Sequence, residues 1–255
     1  MNATNDCLIV RLAQSQDDIL AAQRLRYRVF VQEMGGTGPM VDHQLQLEAD
    51  KFDPYFDHLL LIDPRQDEPN HVVGVYRLLT CEAAKQAGGF YSAAEYDLTP
   101  LVQSGRKLLE LGRSCLDKSY RGGTGMYYLW NGLAAYVAEH GIEVLFGTAS
   151  FHGTDFAALA PSLSLLHHKH LAPAPLRVRS RAFQTMDLLP VDQIDRIAAM
   201  RNTPALIKAY LKIGGTVGEG AYVDHAFNTT DVCLILDTQR MNVAQTALYT
   251  GQVRR

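Results

Sequence analysis

Closely spaced cysteines are missing from this sequence. Its four, Cys7, Cys81, Cys115 and Cys233, lie far apart, so no C-x-x-C zinc or redox motif exists. Scattered thiols in a chain of 255 residues are expected to be reduced and mostly buried, which suits a cytosol. Long hydrophobic runs are missing too. Stretches such as Leu59 to Ile62 and Val232 to Leu236 fall far short of the ~20 residues of a membrane span. The opening Met1-Asn2-Ala3-Thr4-Asn5-Asp6 has neither a basic n-region nor an apolar h-region. A cytoplasmic chain is therefore expected, at most peripheral on the inner face of a membrane. Nor is there an excess of positive charge: Lys+Arg 24 against Asp+Glu 27 gives a formal net charge of -3, and no nucleic-acid partner is expected. Repeats of solenoid length and low-complexity tracts are also absent. What is present, 47% hydrophobic and 20% charged residues, is the composition of a globular chain.

Periodicity suggests a mixed α/β fold, a central twisted sheet flanked by helices, in a single domain over 1–255 with a C-terminal extension from about 190. Leu8-Ile9-Val10 with Leu12 reads as a strand. A helix capped at Asp17 or Asp18 runs to about Glu33, with Ile19, Ala22, Leu25, Val29 and Phe30 near one face. Gly35-Gly36-Thr37-Gly38-Pro39 stops it, and a polar, acidic loop follows to Asp57. His58–Asp63 and Val72–Leu79, joined by a turn over 64–70, read as a hairpin. Leu108–Leu116 leads through Arg121-Gly122-Gly123-Thr124-Gly125 into a helix ending near His140, then a strand over Glu143–Thr148. Strand, glycine turn, helix and strand make a βαβ unit with parallel pairing. A helix near 154–168, a strand near 176–186, a helix near 192–212 and a strand over 231–237 complete the reading.

Four clusters could carry chemistry. Arg24, Arg26, Arg28 and Glu33 lie on the opening helix, where a solvated polar face is the alternative. Glu48-Ala49-Asp50-Lys51-Phe52-Asp53, then Asp57, place carboxylates beside Phe52, Tyr55 and Phe56; they suit a cationic amine, or form an ordinary acidic loop. Lacking D-x-D-x-D-G, they are not a calcium hand. Arg77 interrupts an apolar strand, either facing solvent or holding a carboxylate bidentately. In Leu109-Glu110-Leu111-Gly112-Arg113, alternation puts Glu110 and Gly112 on one face. A glutamate between leucines suits a general base or a cross-strand ion pair. The glycine turn at 121–125 could receive an anion, but is neither a nucleotide P-loop nor a dinucleotide fingerprint. No G-x-S-x-G is present, and Ser150, His152 and Asp155 are too close in sequence to suggest a triad. Cys115 reads as core. His167, His168 and His170 read as surface, with no carboxylate beside them in sequence, so no metal is expected.

Five stretches together resemble the GNAT acyltransferase superfamily, most closely the ornithine N-acyltransferases that open ornithine-lipid synthesis and more distantly the acyl-homoserine-lactone synthases. They are Arg24-Leu25-Arg26-Tyr27-Arg28-Val29-Phe30, Glu48 to Asp53, Val72 to Leu79, Glu110-Leu111-Gly112-Arg113 and Ser150-Phe151-His152-Gly153-Thr154-Asp155. Phe227-Asn228-Thr229-Thr230-Asp231 is similar to the ornithine enzymes only, and the likeness covers most of 8–237. Two departures stand out. Met34-Gly35-Gly36 lacks the tryptophan that the lactone synthases carry there, the sole one being Trp130. Thr124 and Met126 replace small residues of the superfamily's coenzyme A loop. The resemblance implies a GNAT-like fold and transfer of a (3-hydroxy)fatty acyl group from acyl carrier protein to the α-amine of L-ornithine. The acyl-phosphopantetheine would be the donor, with no permanently bound cofactor. Glu110 would be the base, with Asp50 the alternative. Asp50 and Asp53 would hold the cationic side of the amino acid and Arg77 or Arg28 its carboxylate, with Arg113 orienting Glu110 and Glu33 also on the substrate side. Arg121, Gly123 and Gly125 would meet the donor. An acidic carrier protein would dock on Lys169, Arg177, Arg179 and Arg181, the three arginines alternating along one side of a strand, a face that could also lean on anionic lipid. A solvated edge strand is the alternative there. The competing functions are a lactone-signal synthase using S-adenosylmethionine and a non-catalytic carrier- or lipid-binding module.

Overall fold

The computed structural model describes residues 8–241; Cys7 and the opening hexapeptide lie outside that range. Along the chain come β1 (Ile9–Leu12), α1 (Gln16–Arg26), β2 (Val41–Asp42), β3 (Leu47–Glu48), β4 (Asp57–Ile62), β5 (Val72–Thr80) and α2 (Cys81–Ala87). Next are β6 (Tyr96–Asp97), α3 (Thr99–Gln103), β7 (Leu108–Leu116), α4 (Gly125–His140), β8 (Val144–His152) and α5 (Phe156–His170). The last are β9 (Arg179–Ser180), α6 (Arg196–Asn202), α7 (Ala205–Lys212), β10 (Thr216–Val217), β11 (Tyr222–Asp224) and β12 (Thr229–Asp237). Two compact units interleave in sequence: residues 8–79 with 111–140, and 80–110 with 141–241.

In the first unit the strand order is β1-β4-β5-β7. β4 runs antiparallel to both β1 and β5, the expected hairpin, and its register sets His58 opposite Arg77. The apolar face of α1, with Ala21, Ala22 and Leu25, joins Leu60, Ile62, Val72, Val75 and Cys115 in one buried cluster. Ser15, not Asp17 or Asp18, caps α1, its side chain accepting from Asp18 N. Asp18 is drawn away because both its oxygens receive Arg11, at 2.7 and 2.8 Å. The helix reaches Glu33 as expected, but its last seven residues, Tyr27–Glu33, widen into π-helical turns.

In the second unit the first residues of β7 pair parallel with β8, Leu108 opposite Val144, as the βαβ reading required. β12 runs antiparallel to β8 from Thr229 opposite His152 to Asp237 opposite Val144, and β10 and β11 both pair with β12. Tyr96, Leu101, Leu108, Val144, Phe146, Val178, Cys233 and Ile235 share its core. Two expectations fail here. The strand near 176–186 shrinks to Arg179–Ser180, because its partner β6 is itself two residues long. The helix near 192–212 is two helices, parted at Thr203-Pro204: a proline offers no N–H and drives the preceding residue extended, and Thr203 has ψ 136°. The stretch 80–107, unread in the sequence, holds α2, a 3-10 turn at Tyr91–Ala94, β6 and α3.

Candidate active site

The first unit buries an ion network. Arg26 lies on the inward side of α1, wholly buried. Its Nε donates to Glu48 Oε2 (2.5 Å), and two further nitrogens reach the oxygens of Asp53 at 2.6 and 2.8 Å. Asp53, from the 3-10 turn that follows Phe52, also accepts from Arg77 (2.7 Å) and Gln23 (2.9 Å). The same Arg77 nitrogen donates to Asp50 Oδ2 at 2.9 Å, and its guanidinium lies 4.3 Å from the centre of the Phe56 ring. Arg113 closes the set, donating to Glu48 Oε1 at 2.9 Å, with Asp50 at 3.6 Å. His58 Nε2 donates to the Asp53 carbonyl at 3.1 Å.

Three guanidiniums thus face three carboxylates. Taking a charge out of water costs several kcal/mol unless partners compensate, and here each buried charge has an opposite one beside it. Burial pushes the Asp53 carboxyl up, but Arg26 and then Arg77 outweigh it and hold it far below the usual range. Glu48 follows the same pattern, with Arg26 and Arg113 overcoming burial. His58 is pushed below its ordinary value by burial and then by the charge of Arg26, which favours the neutral ring. Arg113 is the most exposed member: its side chain is 14% exposed, against 5% for Asp50, 4% for Asp53 and 0% for Arg26, Glu48 and Arg77. Arg113 stands at φ 50°, a left-handed turn of the backbone that breaks the simple alternation of β7.

Asp50, Asp53, Arg77 and Arg113 are therefore brought together; the other expected substrate groups of this unit are not. Arg28, two positions beyond Arg26 and so on the opposite side of the helix, lies near Asp117 (3.8 Å) and Asn70 (3.2 Å). Glu33 pairs with Arg121 at 2.7 and 3.2 Å, so a substrate group and a donor group of the sequence reading satisfy each other. Arg121 also ties Leu116 O. Gly123 is open, whereas Gly125 starts α4 where an added Cβ would sit 2.9 Å from Tyr120 O. Arg26 and Glu48, which the resemblance gives no role, stand at the centre of the network. The signal was there: Arg26 lies one turn beyond Ala22 and next to Leu25, a charge on the apolar stripe.

In the second unit Glu110 is buried, and its carboxylate accepts from Tyr91 N (2.7 Å), Ser92 N (2.6 Å) and the Ser92 hydroxyl. Those donors open the 3-10 turn Tyr91–Ala94, so Glu110 caps it. Of the docking residues, Lys169 is exposed at the end of α5, and Leu176, Val178 and Ser180 point inward while Arg179 and Arg181 are exposed. Arg177 and Arg181 each spend Nε on a carbonyl, of Ala172 and Ala93. Arg179 pairs with Glu219 at 2.5 Å, an acid that the local sequence does not show. A carboxylate also accompanies the histidines, contrary to expectation: Asp187 lies 3.2 Å from His168 and 3.9 Å from His167, because the loop 181–190 folds back on α5. Burial pushes the Cys115 thiol up to about 12 and Cys233 further, which fits core roles.

Residues 25–131 match the Acetyltransferase (GNAT) domain, a span that includes every charged member of the network. An N-acyl amino acid synthase from uncultured soil microbes shares the fold, with TM-score 0.54 at 12% identity, over 93% of this chain and 97% of its own. The fold and the matched domain define an acyltransferase of the GNAT class. An L-ornithine N(alpha)-acyltransferase of Rhodobacter capsulatus is 57% identical over 246 residues, 96% of this chain and 95% of its own. One of Brucella abortus is 44% identical over 254 residues, 97% and 90% of the two chains. This chain belongs to the L-ornithine N(alpha)-acyltransferase family.

Proposed function

We propose that this enzyme moves a (3-hydroxy)fatty acyl group from the phosphopantetheine thioester of acyl carrier protein to the α-amine of L-ornithine, giving lyso-ornithine lipid. The observation that carries the acceptor is the activity named for a relative aligned along almost the whole chain. The geometry supports an amino-acid site at the network's Arg113 edge. There an ammonium takes Asp50 and a carboxylate takes Arg113, displacing the 3.6 Å Asp50–Arg113 contact. Asp53, Glu48, Arg26 and Arg77 are the positioning residues behind it. Asp50 accepts the ammonium proton; the freed nitrogen attacks the thioester carbon; the carbon–sulfur bond breaks, and the leaving thiolate takes up the second proton that the nitrogen sheds as the amide forms. Glu110, engaged by three donors, fixes the Tyr91–Ala94 turn in this scheme.

Charge supports the choice of donor and partner. A carrier-borne thioester presents one phosphate, which suits a loop whose Thr124 and Met126 depart from the coenzyme A pattern. Arg121, Gly123 and Gly125 line that loop, and Arg121 must exchange Glu33 for the phosphate. The carrier, an acidic protein, approaches Lys169, Arg177, Arg179 and Arg181. No described helix is long and apolar enough to cross a membrane.

Incubating the full chain with 3-hydroxyacyl carrier protein and ornithine, lysine, glutamine or S-adenosylmethionine separates the readings. Expected is an ornithine amide by mass, with Asp50→Asn lowering kcat about 10²–10⁴-fold. A lactone from S-adenosylmethionine, or carrier binding without turnover, would overturn the proposal.

A further inference from the structure

The segment 190–213 plays no part in that chemistry, and its surface has its own character. It holds four cations, Arg196, Arg201, Lys208 and Lys212, against two carboxylates, Asp192 and Asp195, in a chain of net charge -3. Asp195 also caps α6, accepting from Ile197 N and Ala198 N at 3.0 Å. From Arg196 to Gly218 no acid occurs. The inner side of α6 is fixed, since Ala199 packs with Leu165 and Ile194 and its carbonyl accepts the Ser162 hydroxyl at 2.8 Å. The outer side carries Ile197, 82% exposed, the barest large hydrophobic among the described residues. Exposed Arg196 and Arg201 flank it, one position before and four after. Val191 is 43% exposed, and Lys208 of α7 donates to the Arg201 carbonyl at 3.1 Å, which ties a third cation to the same end.

A bare aliphatic side chain flanked by two exposed guanidiniums matches the boundary of an anionic bilayer, with cations at the phosphates and the apolar side chain among the upper acyl carbons. We infer that the segment 191–212, led by Ile197, docks the enzyme on an anionic phospholipid surface. The choice of a lipid rests on the proposed function in one respect: a product with one long acyl chain on a charged head partitions into a bilayer. An acidic carrier protein would satisfy the cations but leave Ile197 without an apolar partner, so the membrane fits better.

Co-sedimentation of the full chain with phosphatidylcholine vesicles, with and without phosphatidylglycerol, tests this, beside turnover measured without vesicles. Expected is partition onto the anionic vesicles only. Ile197→Asp should weaken it at least about tenfold, and Arg196→Gln with Arg201→Gln about thirtyfold. Vesicle-free turnover and the melting temperature should not change. Val191→Asp gives a second reading on the same surface. Wild-type chain that ignores anionic vesicles, or an Ile197→Asp variant that partitions as the parent does, would overturn the inference. So would an Ile197→Asp variant that loses turnover with carrier-bound donor in vesicle-free solution, because the carrier would then be what docks there. Vesicle binding without amide formation by the wild type would sink the proposed function instead and leave the docking surface standing.

Discussion

Asp53 collects Arg26, Arg77 and Gln23 on two oxygens, so its charge is what the two arginines are built around. Asp53→Asn removes that charge and leaves the guanidiniums under-compensated, a loss worth about 3–5 kcal/mol. Melting is expected roughly 6–20 °C lower, read by calorimetry; an unshifted midpoint would mean the network adds nothing to stability. pH acts on the same residues. The native His58 ring stays neutral to a lower pH than usual, while an unfolded histidine binds a proton near ~6.5. Unfolding therefore takes up a proton below about that pH, and stability falls as pH drops through it. Asp18 adds a second window. Its hydrogen bond from Arg11 holds it to about 2, so its contribution is present above the unfolded value near ~3.9 and is lost as pH falls toward its native value. Denaturant titrations from neutral pH downward should show both declines, with His58→Gln flattening the upper one; a constant midpoint would contradict the assignment. Arg77 stands out in the sequence because it interrupts an apolar strand, and Asp50 and Asp53 because they cluster beside aromatics; the role of Arg113 is implied only by the family resemblance. Arg24, Arg26 and Arg28, at alternate positions, look alike in sequence; only the fold shows that Arg26 is the buried one.

Among elements, β7 carries Glu110 and Arg113 into different local settings. Glu110 receives Tyr91 and Ser92, which makes it the anchor of a turn. Glu110→Gln would set an amide nitrogen against at least one of those donors. Leaving a buried donor unsatisfied costs about 1–3 kcal/mol. Expected is a lower urea midpoint together with reduced turnover. A variant as stable as the parent but about 10²–10⁴-fold slower would instead make Glu110 the base. The elements that were legible, β5, β7, α4 and β8, are long and strongly patterned. Those that were not are short: α2, α3 and β6 offer too few residues for a period to show. Pro204 was the readable sign that the helix near 192–212 must break, and Glu219, remote in sequence, could not be seen beside Arg179 before the fold placed it there.

At the scale of the whole molecule, a net charge of -3 gives an acidic carrier no general attraction. Docking must rest on a local basic face, and salt screens such a face. Raising ionic strength should therefore raise KM for the carrier-bound donor and leave kcat unchanged, whereas salt-independent kinetics would exclude Lys169, Arg177, Arg179 and Arg181 from docking. Composition and spacing set the class of molecule and its mixed α/β order; the family likeness lay in stretches spread from the first helix to β12. The partnering of three arginines with three carboxylates was not legible, because it depends on tertiary register, such as His58 opposite Arg77. The most direct test of the proposed reaction is tandem mass spectrometry of the product that the purified chain forms from 3-hydroxyacyl carrier protein and ornithine. Expected is an amide whose fragments place the acyl group on the α-nitrogen; acylation of the δ-nitrogen, or release of free fatty acid alone, would contradict it.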